Sequence, residues 1–413
     1  MNLLFLSHRL PFPPNKGDKI RSHALFTHLA ARHTVHLGCF IDEVEDFSYA
    51  NAVSAMAASC KFIPLTKTRK LLRSALAFLN NSSITAEVYQ DAEMQQWVDT
   101  ILQKEKIDCA VVFSSSMAPY LLAGKYLAPR HVVFDMVDLD SDKWLQYSKT
   151  DGLATSWIYR REATKLLKVE RAAAEKFALT YLVSPYEVQC LSRLAPESAE
   201  RIKPLSNGVN LNYFSSGAFA SPFPQDVTPI VMTGRMDYWP NVEGALWFAN
   251  VVLPLVKRKV PNARFYVVGG QPVSALRKIS SVDIEVTGEV SDVRPYIAAA
   301  RVVVAPLRIA RGVQNKVLEA LAMRVPVVAT EEASRGLAVI GGRDLWVANS
   351  AEDFASAVVD AERSIERDVI AANGRAYVEK NHNWNELLAT LDTVLKDLNV
   401  SSGRQQQTVM QCL

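Results

Sequence analysis

Short, unbroken apolar runs recur along this chain, separated by longer stretches in which polar and apolar residues mix. Runs at 3–6, 35–40, 109–113, 132–136, 181–183, 230–233, 265–268, 284–286, 302–305 and 325–329 read as strands. Most show no polar–apolar alternation, as in parallel strands covered on both faces. Helical spacing fills 18–32, 155–177, 242–258 and 314–323. Strand–helix–strand repetition of this kind predicts an α/β architecture, here two Rossmann-like doubly wound domains.

The expected boundary is a linker at 215–228, rich in Ser, Pro and Gly and containing Ser-Pro-Phe-Pro-Gln-Asp. It separates a first domain at 1–214 from a second at 229–380. A C-terminal helix over 381–399 is placed to pack back on the first domain. The polar, Gln-rich stretch at 400–413 is expected to be disordered.

Composition changes this picture little. A chain of 413 residues with 49% hydrophobic and 22% charged residues suits two globular domains. The formal net charge of +3 is too small to point to nucleic acid as a main partner. No apolar run is long enough to span a bilayer, and Met-Asn-Leu-Leu-Phe-Leu-Ser-His-Arg does not resemble a signal peptide. Five scattered cysteines without a Cys-x-x-Cys pair argue against a disulfide framework or a zinc site and suit a reducing cytoplasm.

Charge patterning alters the picture at one place. No acidic residue lies between Asp46 and Glu87, whereas Lys61, Lys67, Arg69, Lys70 and Arg73 do, with Leu71, Leu72, Ala75, Leu76, Phe78 and Leu79 at helical spacing. Two readings of 61–79 stand side by side: a basic amphipathic segment on an anionic membrane surface, or an ordinary surface helix covered by long basic side chains.

Ligands of open α/β sheets bind at the carboxyl ends of strands, so two junctions in the second half carry the candidate chemistry. At Ile230-Val-Met-Thr-Gly234-Arg235-Met-Asp237, Gly234 allows a sharp turn and close backbone approach, and Arg235 adds a permanent cation. The run from Val302 ends a strand at Pro306. It passes through a loop with Arg308, Arg311 and Gly312, and opens a helix near Gln314. Unpaired N–H groups and the positive end of the helix dipole make that start suited to a diphosphate. Asn315 and Lys316 lie in its first turn, and Glu319 about a turn further in, within reach of a ribose. A surface helix with a solvated Glu319 is the plainer alternative.

These strings bring a family into view. The chain resembles the GT-B-fold glycosyltransferases of family 4 from about Asn2 to Trp384. The resemblance rests on Pro13-Pro14-Asn15-Lys16-Gly17-Asp18, Val183-Ser184, Asn207-Gly208-Val209-Asn210 leading to Phe214, Gly234-Arg235, Thr287-Gly288-Glu289-Val290-Ser291-Asp292, and Glu319-Ala320 with Ala322 and Pro326-Val327-Val328, in the family's order. The strings Phe134-Asp-Met-Val-Asp-Leu-Asp-Ser-Asp-Lys-Trp144 and Ala310-Arg-Gly-Val-Gln-Asn-Lys-Val-Leu-Glu319 are similar to those of the sugar transferases of PEP-CTERM/exosortase exopolysaccharide systems.

The resemblance implies two domains facing across a cleft and a nucleoside-diphosphate-sugar donor, with retention of anomeric configuration and no resident metal or other cofactor. Thr287, Gly288, Glu289 and Val290 would line the base, Glu319 would hold the ribose, and Gly17 and Asp18 would lie on the acceptor side. A lipid-linked or glycan acceptor at the inner face of a cytoplasmic membrane is the implied setting. Three positions depart from the family. Arg311 stands where the first of two glutamates spaced eight apart is usual. Pro240-Asn241 occupy the region of a common lysine, and the strand from His131 runs to Asp138 where many members place a histidine. Arg311 either meets an anionic group on the donor or is neutralised by a nearby aspartate. Asp138 belongs to a run of acids with Asp135, Asp140 and Asp142 and either touches the reacting sugar or caps and pairs locally with Lys143. His8, after the first strand, reads as a loop histidine with a structural hydrogen bond. A nucleotide-sugar-binding subunit without catalysis and a GT-B epimerase are the alternatives to a transferase.

Overall fold

The computed structural model describes residues 1–123, 129, 131–149, 153–217 and 219–411. Two compact units account for the chain, residues 1–205 with 388–413 and residues 206–387. The division after Leu205 precedes the Ser/Pro/Gly-rich segment, so 215–228 belongs to the second unit and is not the link between the two. Within that unit it is held by specific packing: Phe223 is buried against Tyr266, with ring centroids 4.4 Å apart.

Among the described residues the first unit holds seven strands: β1 (Asn2–Ser7), β2 (Thr34–Ile41), β3 (Ser59–Pro64), β4 (Cys109–Phe113), β5 (His131–Val137), β6 (Leu179–Leu182) and β7 (Ile202–Pro204). They form one parallel sheet in the order β3-β2-β1-β4-β5-β6-β7. The second unit adds β8 (Thr228–Thr233), β9 (Ala263–Val268), β10 (Ile284–Gly288), β11 (Val302–Ala305), β12 (Val327–Ala329) and β13 (Trp346–Val347), parallel in the order β10-β9-β8-β11-β12-β13.

Burial explains which strands the pattern revealed. Residues 3–6 of β1 and all of β4 are buried, as are β11 and β12, because helices cover both faces of a central parallel strand. The edge strand β3 and the short β7 and β13 are partly exposed and carry mixed sequence, so no apolar run marked them. The helical stretch expected over 242–258 begins earlier, at Trp239, and passes through a π-helical turn at Phe248–Val252 before ending at Lys257. Pro254 lies just beyond that turn, and the wider winding accommodates its missing N–H.

In the first unit a buried pair crosses from helix to sheet. Arg21, on the Gly17–Ala30 helix, donates from Nε and Nη2 to Asp135 of β5 at 2.8 and 3.0 Å. Asp135 therefore serves the core, apart from the acidic run in which the sequence placed it. The last helix, Trp384–Gln411, continues past the 399 at which the pattern closed it and takes in most of the stretch expected to be disordered. Extending an existing helix avoids the nucleation cost, which lets weakly helical residues join it. Its residues from Leu388 group with the first unit, where Asp392 accepts from His28 at 2.8 Å. Cys412 lies outside the described residues.

Candidate functional site

Strand order reverses beside β8 in the second unit: β9 lies on one side and β11 on the other. The loops leaving β8 and β11 diverge there, which opens a crevice at their carboxyl ends. Gly234 and Arg235 leave β8 and the loop from Pro306 to Gln314 leaves β11, so the two junctions picked from sequence meet at the switch point.

Close backbone packing shapes this crevice. Gly234 has φ 146°, and a Cβ there would lie 2.8 Å from Asn241 Nδ2 and 3.3 Å from Lys316 Nζ. The next loop presses on it from behind, with Gly269 (φ 149°) against the Gly234 carbonyl. Only glycine meets both demands. Arg235 is oriented by Asp237, at 3.1 and 2.8 Å, and by Gln271 Oε1 at 2.7 Å.

The Asn315–Ala322 helix begins with Gln314 as its N-cap and no acidic residue in its first turn. Gln314 Nε2 donates instead to the Arg311 carbonyl at 2.8 Å, which fixes the loop that precedes the helix. Asn207 Nδ2 donates to Asn315 Oδ1 at 3.0 Å. Beside it the Trp384 ring lies so close to Gly208 that a Cβ would come within 2.5 Å. The Asn-Gly-Val string thus acts within the second unit, steadying the helix start.

Lys316, the first-turn cation of that helix, does not lie open to solvent. It is buried, and Nζ donates to Asn241 Oδ1, while Asn241 Nδ2 donates to the Arg235 carbonyl at 2.7 Å. Burial pushes the Lys316 ammonium down to about 8, partly offset by Glu319. Burial likewise pushes the Glu319 carboxyl up to about 7, with Lys316 opposing the shift. Asn241 stands out in the sequence only as part of the Pro240-Asn241 departure from a common family lysine, with no role attached to it. Its partner emerges only when the fold brings the amide against Lys316.

A cavity of about 370 Å³ lies next along the sheet, lined by Gln271, Pro272, Arg277, Val286, Thr287, Gly288 and Glu289. Three of the four predicted base-lining residues are among these; Val290 is not. Asp292, the last residue of that string, instead holds Arg294 Nη2 at 2.7 Å. Arg308 reaches Glu243 at 3.3 Å, and Arg311 is partly buried.

In the first unit the order reverses at β1 and β4. Gly17 opens the helix after β1, and Asp18 accepts from Arg9 Nη1 at 2.7 Å and lies 3.1 Å from His8 Nε2. Burial alone would raise the Asp18 carboxyl, but the His8 contact and the Arg9 charge hold it well below the usual carboxylate range. His8 stacks on Phe113 at 5.8 Å. Val137 closes β5 in a left-handed turn with φ 70°, which delivers Asp138 beyond the strand. Asp140 pairs with Lys143. Two glutamates overlooked in the sequence gather here. Glu187 accepts from the Leu139 N–H at 2.8 Å and is pushed up to about 8 by burial and the Asp138 charge. Glu170 accepts from the Ser141 N–H at 3.2 Å and is pushed up to about 8 by burial. The Ser184-Pro-Tyr-Glu187 spacing of a helix start was the one available clue.

Solved structures share the fold over nearly the whole chain. HepE of Anabaena in complex with UDP matches with TM-score 0.68 and 14% identity, covering 96% of this chain and 100% of that one. Sucrose-phosphate synthase of Thermosynechococcus elongatus matches with TM-score 0.70 and 16% identity, covering 97% and 99%. The fold is that of the GT-B glycosyltransferases. Residues 228–363 also match the family model of glycosyl transferases group 1, a span that takes in Gly234, Lys316 and Glu319. An uncharacterised 44.6 kDa protein in the cps region of Klebsiella pneumoniae is 19% identical over 172 residues, 39% of this chain. That alignment spans 44% of the relative's length, less than half of it. Among the described residues no helix is long and apolar enough to cross a membrane.

Proposed function

We propose that this protein moves a sugar from a nucleoside-diphosphate donor to an acceptor hydroxyl, with retention of anomeric configuration. The observation that carries this reading is the buried Lys316 ammonium at the start of the Asn315–Ala322 helix, beside the Gly234 backbone at a topological switch point, with half-buried Glu319 close enough to act on its charge. A buried cation with helix N–H groups alongside is suited to the charge that develops on a leaving diphosphate. Arg235 adds a second cation. Both are protein side chains, so the reaction is proposed to run without a resident metal.

Glu319 holds the ribose, and the cavity beside Thr287, Gly288 and Glu289 takes the base. The solved complexes of HepE with UDP and with UDP-glucose support a uridine donor as the first to test. Arg311 is proposed to meet an anionic group of the donor sugar or its phosphate through its planar fork. On the acceptor side the reading assigns Gly17, Asp18 and the Asp138 carboxylate with its neighbours Glu187 and Glu170. The acceptor is proposed to be lipid-linked or a glycan, in exopolysaccharide or other cell-surface glycan synthesis, with the protein peripheral at the cytoplasmic membrane.

The test is nucleotide release from a set of UDP- and GDP-sugars, with and without a lipid-linked acceptor. Acceptor-dependent release is expected. Donor binding without turnover would replace the transferase with a binding subunit, and release of free nucleotide without acceptor would replace it with an epimerase. Arg311→Glu is expected to lower the preference for uronic-acid over neutral donors at least about tenfold, the scale of one charge-assisted contact. Unchanged donor preference would remove Arg311 from the sugar-facing role.

A further inference from the structure

The Lys67–Leu79 helix of the first unit is turned the opposite way from an ordinary surface helix. Its inner side is polar: Lys70 Nζ pairs with Asp42 at 2.9 Å, Arg73 pairs with Asp91, and Ala77 is the helix's buried residue. At about 100° per residue, Phe78, Leu71, Ala75, Leu79, Leu72 and Leu76 then share the outward arc, with Lys67 and Arg69 at its two margins. Leu71, Leu72 and Leu79 are 73%, 61% and 81% exposed. An amphipathic helix that spends its ion pairs on the protein and presents its leucines outward has its apolar face prepared for something else.

A second element extends the face. Arg161, on the Leu153–Lys176 helix, donates to the carbonyls of Ala77 and Ser82 at 2.8 and 3.0 Å, and its guanidinium lies 4.6 Å from the Phe78 ring centroid. These bonds tie down the end of the leucine helix. One turn earlier, Trp157 stacks on Phe78 at 6.3 Å and is itself 61% exposed. Arg160 beside it is exposed as well. The surface therefore combines an arc of leucines with two aromatic rings and a rim of Lys67, Arg69 and Arg160.

We infer that this surface seats the protein on an anionic bilayer, with the Lys67–Leu79 helix lying in the headgroup plane. The proposal gives the membrane setting of the proposed function its contact surface, and rests on that function only for what is carried to the membrane. Charge complementarity selects the occupant. From Phe47 through Ala86 there is no acidic residue, and nearby acids are already engaged: Asp42 and Asp91 on the inner side, Glu87 by Asn80 and Ser82. A leucine arc enters the acyl boundary, Trp and Phe suit the interface, and the basic rim meets anionic headgroups.

Sedimentation of the full chain with vesicles tests this, using phosphatidylcholine alone and phosphatidylcholine with phosphatidylglycerol. Binding is expected for the anionic vesicles and should weaken as salt rises. Leu72→Ser/Leu79→Ser and Lys67→Glu/Arg69→Glu should each lower the partition coefficient at least about tenfold. Equal partition of the wild type and the leucine variant, or no wild-type binding to anionic vesicles, would overturn the proposal. So would a dimer in light scattering that the leucine substitutions disperse, because the face would then belong to a second copy. UDP titration of the same proteins separates the two readings. Unchanged UDP affinity in the variants shows an intact fold, and wild-type failure to bind UDP would count against the donor site while leaving the vesicle result standing.

Discussion

Replacing Lys316 by Met tests the donor site most directly, because this side chain makes two separable predictions. Nζ is buried against Asn241 Oδ1 beside Gly234, where a diphosphate oxygen would complete its hydrogen bonding. A hydrogen bond to a charged group is worth about 1.5–3 kcal/mol, so Lys316→Met should weaken UDP about tenfold to 150-fold. The second prediction is a pH dependence. An anionic ligand favours the ammonium form, so binding raises the Lys316 pKa and takes up a proton. Affinity is then full below the free-protein value of about 8 and falls as pH rises through it. About nine-tenths of the side chain is protonated one pH unit below that value and about one-tenth one unit above, so Kd should rise about tenfold between those points. Glu319 ionises around 7 and opposes this by no more than about twofold over the same range. Calorimetric titration of UDP at several pH values measures both effects. The reasoning fails if wild type and Lys316→Met share the same slope above pH 8, or if the substitution leaves Kd unchanged.

Two further substitutions probe the frame that carries the sites. Asp135→Asn leaves the buried Arg21 guanidinium without its counter-charge and should cost about 3–5 kcal/mol, read from urea unfolding as a lower midpoint at unchanged slope. Gly269→Ala places a Cβ 1.8 Å from the Gly234 carbonyl in a left-handed backbone, so it should lose at least about 2 kcal/mol and weaken UDP together with stability. Normal melting and UDP affinity in that variant would show that the two loops do not press on each other as described.

Much of this protein was already determined by local pattern. Parallel strands buried on both faces must be apolar throughout, so runs such as Cys109–Phe113 and Val302–Ala305 announced the two sheets. Gly234, Arg235, Lys316 and Glu319 were visible too, because a strand end followed by glycine and a cation, or by a helix start without acids, is a local chemical signature. Strand order was not local. The meeting of the β8 and β11 loops depends on β11 crossing to the far side of β8.

Burial was equally beyond the sequence. Lys316 reads from sequence only as a first-turn cation; the fold packs it against Asn241 and shifts it by desolvation. Glu170 and Glu187 acquire their raised proton affinity only from what the fold packs around them. The basic leucine-rich helix shows the division most plainly. Its sequence determined that one face is apolar and its margins basic, and left open which face the protein keeps. Tertiary structure decided this, because Asp42 and Asp91 lie where Lys70 and Arg73 can reach them, and pairing those cations inward leaves the leucines pointing out.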